Sequence, residues 1–474
     1  MTSRRSILVA ATLCGCGDGG GETGIDLAIR YQADLGLDRF ALTASAGSES
    51  LVDRTLLPEE DRPISDSGRE DVIVLVPRDV AGGEVTLRVE GLFRGDVIAS
   101  GQVTVRVAPG ELVPAGVTLR VRDAECAEWE WAPSNVAPCD DGAPPDGPLV
   151  LDGPGTYTLD TETGRVATPD GDPLVPASMF VAQPGGPMVR LVSVDGLVVE
   201  EDAVLEVIGP QPLVVAVWGE ATIAGAIEVL AGGGRPDDCV AAGAGGNAAD
   251  ASSAAGGGGG GAFAGDGGDG GEGDGGDKGE KGKKGRIAGE PSLSPLRGGC
   301  PGAPGGDAFG DAGSGGAGGR GGGAIQIAAR DAVLLSGVLG AAGEGGAGGA
   351  PAAGGGGGGS GGAILIESPD IRFAGGSSLC ANGASGGEGG GAEEEGAGGA
   401  PGTCSGERAA TANQQPGGGD GGRGSAGHDV GGENGKNGGD SGAGGGGGGG
   451  IGRIRLRALD DLTDLGALVT PAAG

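Results

Sequence analysis

Carboxylates on glycine-rich backbone, a set of thiols and one imidazole are the side chains of this sequence with chemistry to offer. Gly265-Asp-Gly-Gly-Asp-Gly-Gly-Glu-Gly-Asp-Gly-Gly-Asp277 strings acids along flexible chain, which suits a hard cation that takes oxygen ligands. Asp266, Asp269, Asp274 and Asp277 are therefore weak calcium candidates. The run lacks the apolar residue that closes a nonapeptide calcium repeat, so incidental acidity is the stronger reading. Lys278, Lys281, Lys283, Lys284 and Arg286 come directly after it, and the acidic and basic halves can pair across neighbouring segments. His428 is the sole histidine and lies in Gly427-His428-Asp429, inside a glycine tract that fixes no geometry for acid–base work. That inventory argues against a histidine-dependent triad or a zinc enzyme. No P-loop or GxSxG elbow occurs, and GxGxxG strings carry no information at this glycine content. No catalytic residue is assigned.

The thiols point to export. Arg4 and Arg5 precede an apolar core, Ile7 to Leu13, of the signal-peptide kind. It is too short to cross a bilayer, which takes roughly 20 apolar residues. It ends in Leu13-Cys14-Gly15-Cys16, which resembles the lipobox of bacterial lipoproteins. On that reading residues 1–16 are signal peptide and lipobox, Cys16 carries the lipid, and residues 17–24 are a tether. The rival is an ordinary signal peptide with incidental cysteines. Gly17 stands where an inner-membrane retention signal would have aspartate, so a lipid-anchored place at the outer membrane or cell surface is expected. Six further cysteines allow 15 connectivities. Their spacing suggests sequential pairs, Cys126–Cys139, Cys239–Cys300 and Cys380–Cys404; the last two bracket glycine-rich excursions, where a staple helps most. Zinc is the weaker alternative, because no CxxC pair is present.

The elements that must position these groups read as all-β. Glycine supplies 117 of 474 residues and aromatics 2%, which excludes an aromatic-centred core. A net charge of −34 argues against nucleic acid and against docking on anionic lipid. Residues 25–122 have ordinary composition and alternate with a period of two, as at Val85, Leu87 and Val89 against Thr86, Arg88 and Glu90. Strands are expected at 25–30, 40–44, 72–76, 84–90, 96–107 and 117–122. The expected form is an antiparallel β-sandwich of immunoglobulin or transthyretin type. Residues 123–149 read as a disulfide-closed linker whose Trp129 and Trp131 cap one end of the carboxy-terminal region.

From residue 150 to 474 the chain repeats. The units starting at Leu213, Ala324, Ala363 and Arg453 each offer short strands that cannot bury an apolar side alone, so they must stack. A right-handed parallel β-helix is the expected architecture, interrupted by glycine tracts at 232–323, 340–362 and 383–450. Within them glycine recurs every third residue, at 267, 270, 273, 276, 279, 282 and 285 among others. Polyproline II has three residues per turn, so such spacing makes one bare face and lets chains approach. A Cβ at Gly273 or Gly276 would then push neighbours apart. Disordered low-complexity sequence is the competing reading.

The chain resembles a class of uncharacterised glycine-rich surface lipoproteins of myxobacteria and related predatory bacteria. The resemblance rests on Leu13-Cys14-Gly15-Cys16, Ala132-Pro-Ser-Asn135 with Pro138-Cys139, Gly155-Thr-Tyr-Thr-Leu-Asp-Thr-Glu-Thr-Gly164, Leu296-Arg-Gly-Gly-Cys-Pro301 and the repeats ending in hexaglycine. It implies no activity. The expectation is a non-enzymatic surface protein, structural or adhesive, whose partners are the membrane through its lipid and a cell-surface glycan or another envelope protein. The alternative is a carbohydrate-active enzyme, a polysaccharide lyase or hydrolase, on the β-helix, since such folds carry aspartate clusters in grooves. Asp460-Asp461 is an acid pair, but no spacing singles it out.

Overall fold

The structure is a computed structural model. It describes residues 7–10, 23–31, 37–46, 49–58, 64, 69–77, 80, 82–93, 96–121, 129, 131–136, 147–183, 185–230, 239, 241–310, 312–414 and 416–474. These residues form β-strands and no helix element, and no helix is long and apolar enough to cross a membrane. The chain divides into two compact units, Met1–Glu130 and Trp131–Gly474. The second unit thus begins inside the segment read as a linker.

The first unit holds two sheets. One orders Ile7–Ala10, Arg69–Leu75, Gly24–Arg30 and Leu112–Thr118; the other orders Glu49–Leu57, Arg39–Ala46, Glu84–Phe93, Asp96–Arg106 and Arg120–Val121. The alternating residues do what a period of two demands: Ile25, Leu27, Val72, Val74, Val85, Leu87 and Val89 are fully buried in one apolar cluster with Phe40 and Leu42. Three details differ from the sequence reading, the first being that the strand expected at 117–122 is instead Leu112–Thr118, in one sheet, and Arg120–Val121, in the other. Gly24–Arg30 runs parallel to Leu112–Thr118, and Ile7–Ala10 parallel to Val72–Leu75, so the first sheet is mixed. Glu49–Leu57 is a strand that the sequence hid, because Asp53 and Arg54 interrupt its apolar rhythm and its pairing with Arg39–Ala46 shifts register.

In the second unit, successive turns of chain stack three columns of parallel strands. Val189–Val194, Leu213–Val217, Ala324–Ala329 and the first halves of Ala363–Phe373 and Arg453–Asp464 form the first column. Leu149–Leu151, Leu197–Val199, Glu220–Ile223, Ala332–Leu335 and the second halves of the same two long strands form the second. Gly155–Asp160, Ala203–Ile208, Ala226–Val229, Val338–Gly340, Ser378–Cys380 and Leu468–Thr470 form the third. Stacked inward residues such as Ile223, Leu335 and Phe373, or Ile327 and Ile366, fill the interior. Each such buried side chain stabilises by roughly 1.5–3 kcal/mol. Columns two and three alternate buried and exposed. The first is buried on both faces, so its strands read as mostly apolar runs, unbroken in Leu213–Val217 and interrupted by Arg190, Ser193 and Gln326 in the strands beside it. Its outer face is covered by Val136, Phe263, Leu293 and Leu296. At the amino-terminal end the columns are closed by antiparallel strands, Ala177–Val181 on Val189–Val194 and Arg165–Ala167 on Gly155–Asp160.

The glycine tracts are neither helix nor strand, and they are bonded to one another with a period of three. Residues 353–362 show the pattern. Gly354 and Gly357 donate to Gly306 and Ala303, Gly355 and Gly358 to Gly444 and Gly447, and Gly356 and Gly359 to Ala347 and Glu344. Their carbonyls accept from Gly258 and Gly261, from Gly316 and Gly319, and from Gly387 and Ala384. Three donor directions and three acceptor directions surround one chain with neighbours on every side. A Cβ on any of Gly354–Gly359 would fall inside the radius of a carbonyl oxygen. Gly256–Gly261 and Gly444–Gly450 sit in the same way, so each all-glycine stretch is an interior chain of the bundle.

Candidate recognition surface

Where a run has neighbours on fewer sides, glycine is needed less often and side chains return. Residues 265–273 keep two glycines in each triplet, and residues 277–285 are fully buried only at Gly279, Gly282 and Gly285. These two runs lie antiparallel: Gly267, Gly270 and Gly273 donate to Gly285, Gly282 and Gly279 at 3.3, 2.9 and 3.1 Å. The three-residue register brings each outward acid to one lysine. Lys284 meets Asp266 at 2.9 Å, Lys281 meets Asp269 at 3.3 Å and Lys278 meets Glu272 at 2.7 Å. On the other flank Gly432, Gly435 and Gly438 donate to the carbonyls of Asp266, Asp269 and Glu272. The Asn434 and Asn437 side-chain oxygens accept from the N–H of Asp269 and Glu272 at 2.8 and 2.9 Å. The result is a face with a column of lysines, a column of acids and a column of amides. Each column repeats every three residues, the period of the hydrogen bonds behind it.

The acids are held in their charged form. The Lys284 side chain lowers the pKa of Asp266 below the ordinary carboxylate range, and the Lys278 side chain does the same for Glu272. At Asp269 burial pulls upward, but the Lys284 backbone N–H and the Lys281 side chain outweigh it and the net shift is downward. Asp274 is lowered chiefly by the Ser441 N–H, which its Oδ2 accepts at 2.8 Å.

The remaining sequence candidates occupy separate places. Cys239 and Cys300 are bonded with their Cα atoms 5.8 Å apart, and Cys380 and Cys404 with theirs 5.1 Å apart. Cys16, Cys126 and Cys139 lie outside the described residues. Asp266, Asp269 and Asp274 turn to separate partners and do not converge, and Asp277 is exposed at the turn. Among the described residues no group of three or more His, Cys, Asp or Glu could hold a metal ion. The unbroken glycine period from 267 to 285 does not mark one chain, because the backbone reverses between 274 and 278. Gly273 faces the Ala254 carbonyl as expected, but a Cβ at Gly276 meets nothing within 4 Å. Trp131 lies beside Arg457 of the last long strand, Arg453–Asp464, 5.8 Å from ring centroid to guanidinium carbon.

One polar cluster has no counterpart in the sequence reading. Glu367, fully buried on the outer side of the first column, accepts from Ser134 N–H and Oγ–H at 2.9 and 2.6 Å, from Gln326 at 2.7 Å and from Arg457 at 3.0 Å. Asn135 donates to Gln326 Oε1 at 2.8 Å and to the Leu293 carbonyl at 2.9 Å. Ala132-Pro-Ser-Asn135 is thereby latched across the sheet. The signal was the presence of Gln326 and Glu367 in otherwise apolar strands, since a buried carboxylate demands partners. A cleft of about 370 Å³ lies between Leu149–Val150 and Leu174–Ala177 and has no titratable side chain in its lining. Comparison with protein-family models, with curated proteins and with solved structures gives no match in any of the three.

Proposed function

We propose that this is an exported, non-enzymatic surface protein, anchored through lipid on Cys16 at the outer membrane or cell surface, with an adhesive or structural role. On this reading the first unit is a β-sandwich of immunoglobulin or transthyretin type. The second is a right-handed parallel β-helix flanked by a polyproline II bundle. The observation that carries the reading is the face built by residues 265–274, 277–285 and 430–438. It presents paired lysine, acid and amide columns on a backing with almost no side-chain freedom. Such a face is pre-organised, so a partner binding it has little ordering to impose. Fixed side-chain columns with a regular repeat suit an extended polar polymer, such as a cell-surface glycan, or an envelope protein. The two disulfides agree with an oxidising compartment.

The test is binding of the protein lacking residues 1–16 to a glycan array and to whole cells, beside a Lys278→Glu/Lys281→Glu/Lys284→Glu variant. Binding that the triple variant loses supports the proposal. Release of oligosaccharide from acidic polysaccharides by the unaltered protein would replace it with the enzymatic reading. For the anchor, Cys16→Ala should move the chain from the membrane to the soluble fraction, whereas Cys14→Ala should leave it in place.

A further inference from the structure

The two ends of the stacked columns differ. At the amino-terminal end the chain supplies its own antiparallel strands, Ala177–Val181 and Arg165–Ala167, to close the first and third columns. At the carboxy-terminal end Arg453–Asp464 pairs on one side only, with Ala363–Phe373, and Leu468–Thr470 only with Ser378–Cys380. Gly474 donates to the Ile454 carbonyl at 3.0 Å and covers the start of that edge. Among the described residues no backbone hydrogen bond from another segment reaches the edge from 456 to 463. Leu462 stands in register above the buried Ile371 yet is 48% exposed, and Leu459 and Leu465 are 40% and 70% exposed. An open strand edge with exposed core side chains is a template for pairing.

The middle of that edge, Leu456 to Leu462, fits itself. Even-numbered residues point inward, as Ile454 and Leu456 do, and odd-numbered ones outward, as Arg457 does toward Glu367. In an antiparallel pair opposite residues share a face. If two copies of the edge meet with Leu459 opposite Leu459, then Leu456 faces Leu462 on the inner side with Ile454 facing Asp464 at its ends, and on the outer side Arg457 faces Asp461 and Arg455 faces Thr463. The two-fold axis then passes through the corner between the first and second columns. It carries the third column onto itself, so that Val469 lies opposite Val469. We infer that this end is an isologous interface, and that a second copy of this chain supplies the antiparallel strand which the amino-terminal end obtains from its own sequence. A single patch meeting its own copy is the usual geometry of a closed dimer.

Covalent trapping tests both the partner and the register. Opposite residues of an antiparallel pair have Cα atoms about 4.5–5.5 Å apart, within disulfide reach. The full chain carrying Leu459→Cys should therefore form a covalent dimer under mild oxidation, seen on a non-reducing gel. Leu465→Cys should not, because in this register its copies are about 40 Å apart. Light scattering of the full chain should give twice the chain mass, and Leu462→Lys should weaken association at least tenfold while the thermal transition stays in place. A monomer throughout the micromolar range would overturn the inference. So would a dimer that Leu462→Lys leaves intact, or trapping at 465 in preference to 459.

Discussion

The coils and the glycine bundle solve the same problem, laying chain segments side by side, with opposite materials. In the coils, neighbouring strands are joined along two edges, and side chains project above and below to be buried in the interior. Ile223, Leu335 and Phe373 stack there because each strand has a side that needs covering. In the bundle a chain such as 353–362 is joined to neighbours all round, and no side is left on which a side chain could stand. The coils thus draw stability from apolar area, and the bundle from backbone hydrogen bonds and close packing. Each hydrogen bond contributes only about 1 kcal/mol net, while ordering glycine costs more than ordering any other residue. The bundle is therefore the half that needs external support. It has it, from strands that continue its runs at Ala324, Ala363 and Arg453 and from both described disulfides.

The sharpest way to break the contrast is to add one methyl-bearing carbon to the bundle interior. Gly357→Val should destabilise the second unit by more than about 5 kcal/mol, the exceptional end of single substitutions, because neighbours on all sides prevent relaxation. Gly276→Val, at the open turn, should change stability by no more than about 0.5 kcal/mol, read from the melting temperature. Equal melting of the two variants would mean that the bundle does not pack as described. Next in size is the staple: Cys239→Ser with Cys300→Ser should cost on the order of 4 kcal/mol by the chain-entropy relation for its long loop. Calorimetry should show the loss in the second unit alone. On the coil side, Ser134→Ala removes one donor from the buried Glu367 and should cost roughly 1–3 kcal/mol, read from denaturant midpoints.

The smallest effect is expected in acid. Asp266 and Asp269 have folded-state pKa values below the ordinary carboxylate value. Their contribution is therefore fully present above that ordinary value, about 4, and is lost as pH falls through the lower folded values. A slight fall in melting temperature in that window, diminished in Asp266→Asn, is the expected titration. Both acids are partly exposed and screened by solvent, so the change should be near the limit of measurement.

Much of this was legible in the sequence, and the gaps have physical causes. Short apolar strands such as Leu213–Val217 and Ala324–Ala329 announce stacking because no single unit can bury them. The pairing of Asp266, Asp269 and Glu272 with lysines followed from opposite charges at equal spacing. Gly276 misled because a three-residue period can continue through a turn without the chain continuing straight. Glu367 was hidden because Ser134 lies 233 residues away in sequence. What composition did hold, unread, was the glycine count per triplet. It is complete in Gly354–Gly359, two of three in residues 265–273 and one of three in residues 277–285, and it falls as fewer sides of the run are covered.

The three-residue register also limits how such a molecule can change length. Each interior run shares its hydrogen bonds with neighbours in several directions at once, so inserting one residue in residues 353–362 would misalign donors and acceptors on all of them together. Even a full triplet would find no matching step in the adjoining runs. The bundle can grow only as a layer, three residues at a time and through every run at once. Single-residue insertions are confined to its hairpin tips, such as the exposed Glu393-Glu394-Glu395. Low-complexity glycine sequence, usually the most freely edited kind, is here held to fixed lengths by the geometry of its neighbours.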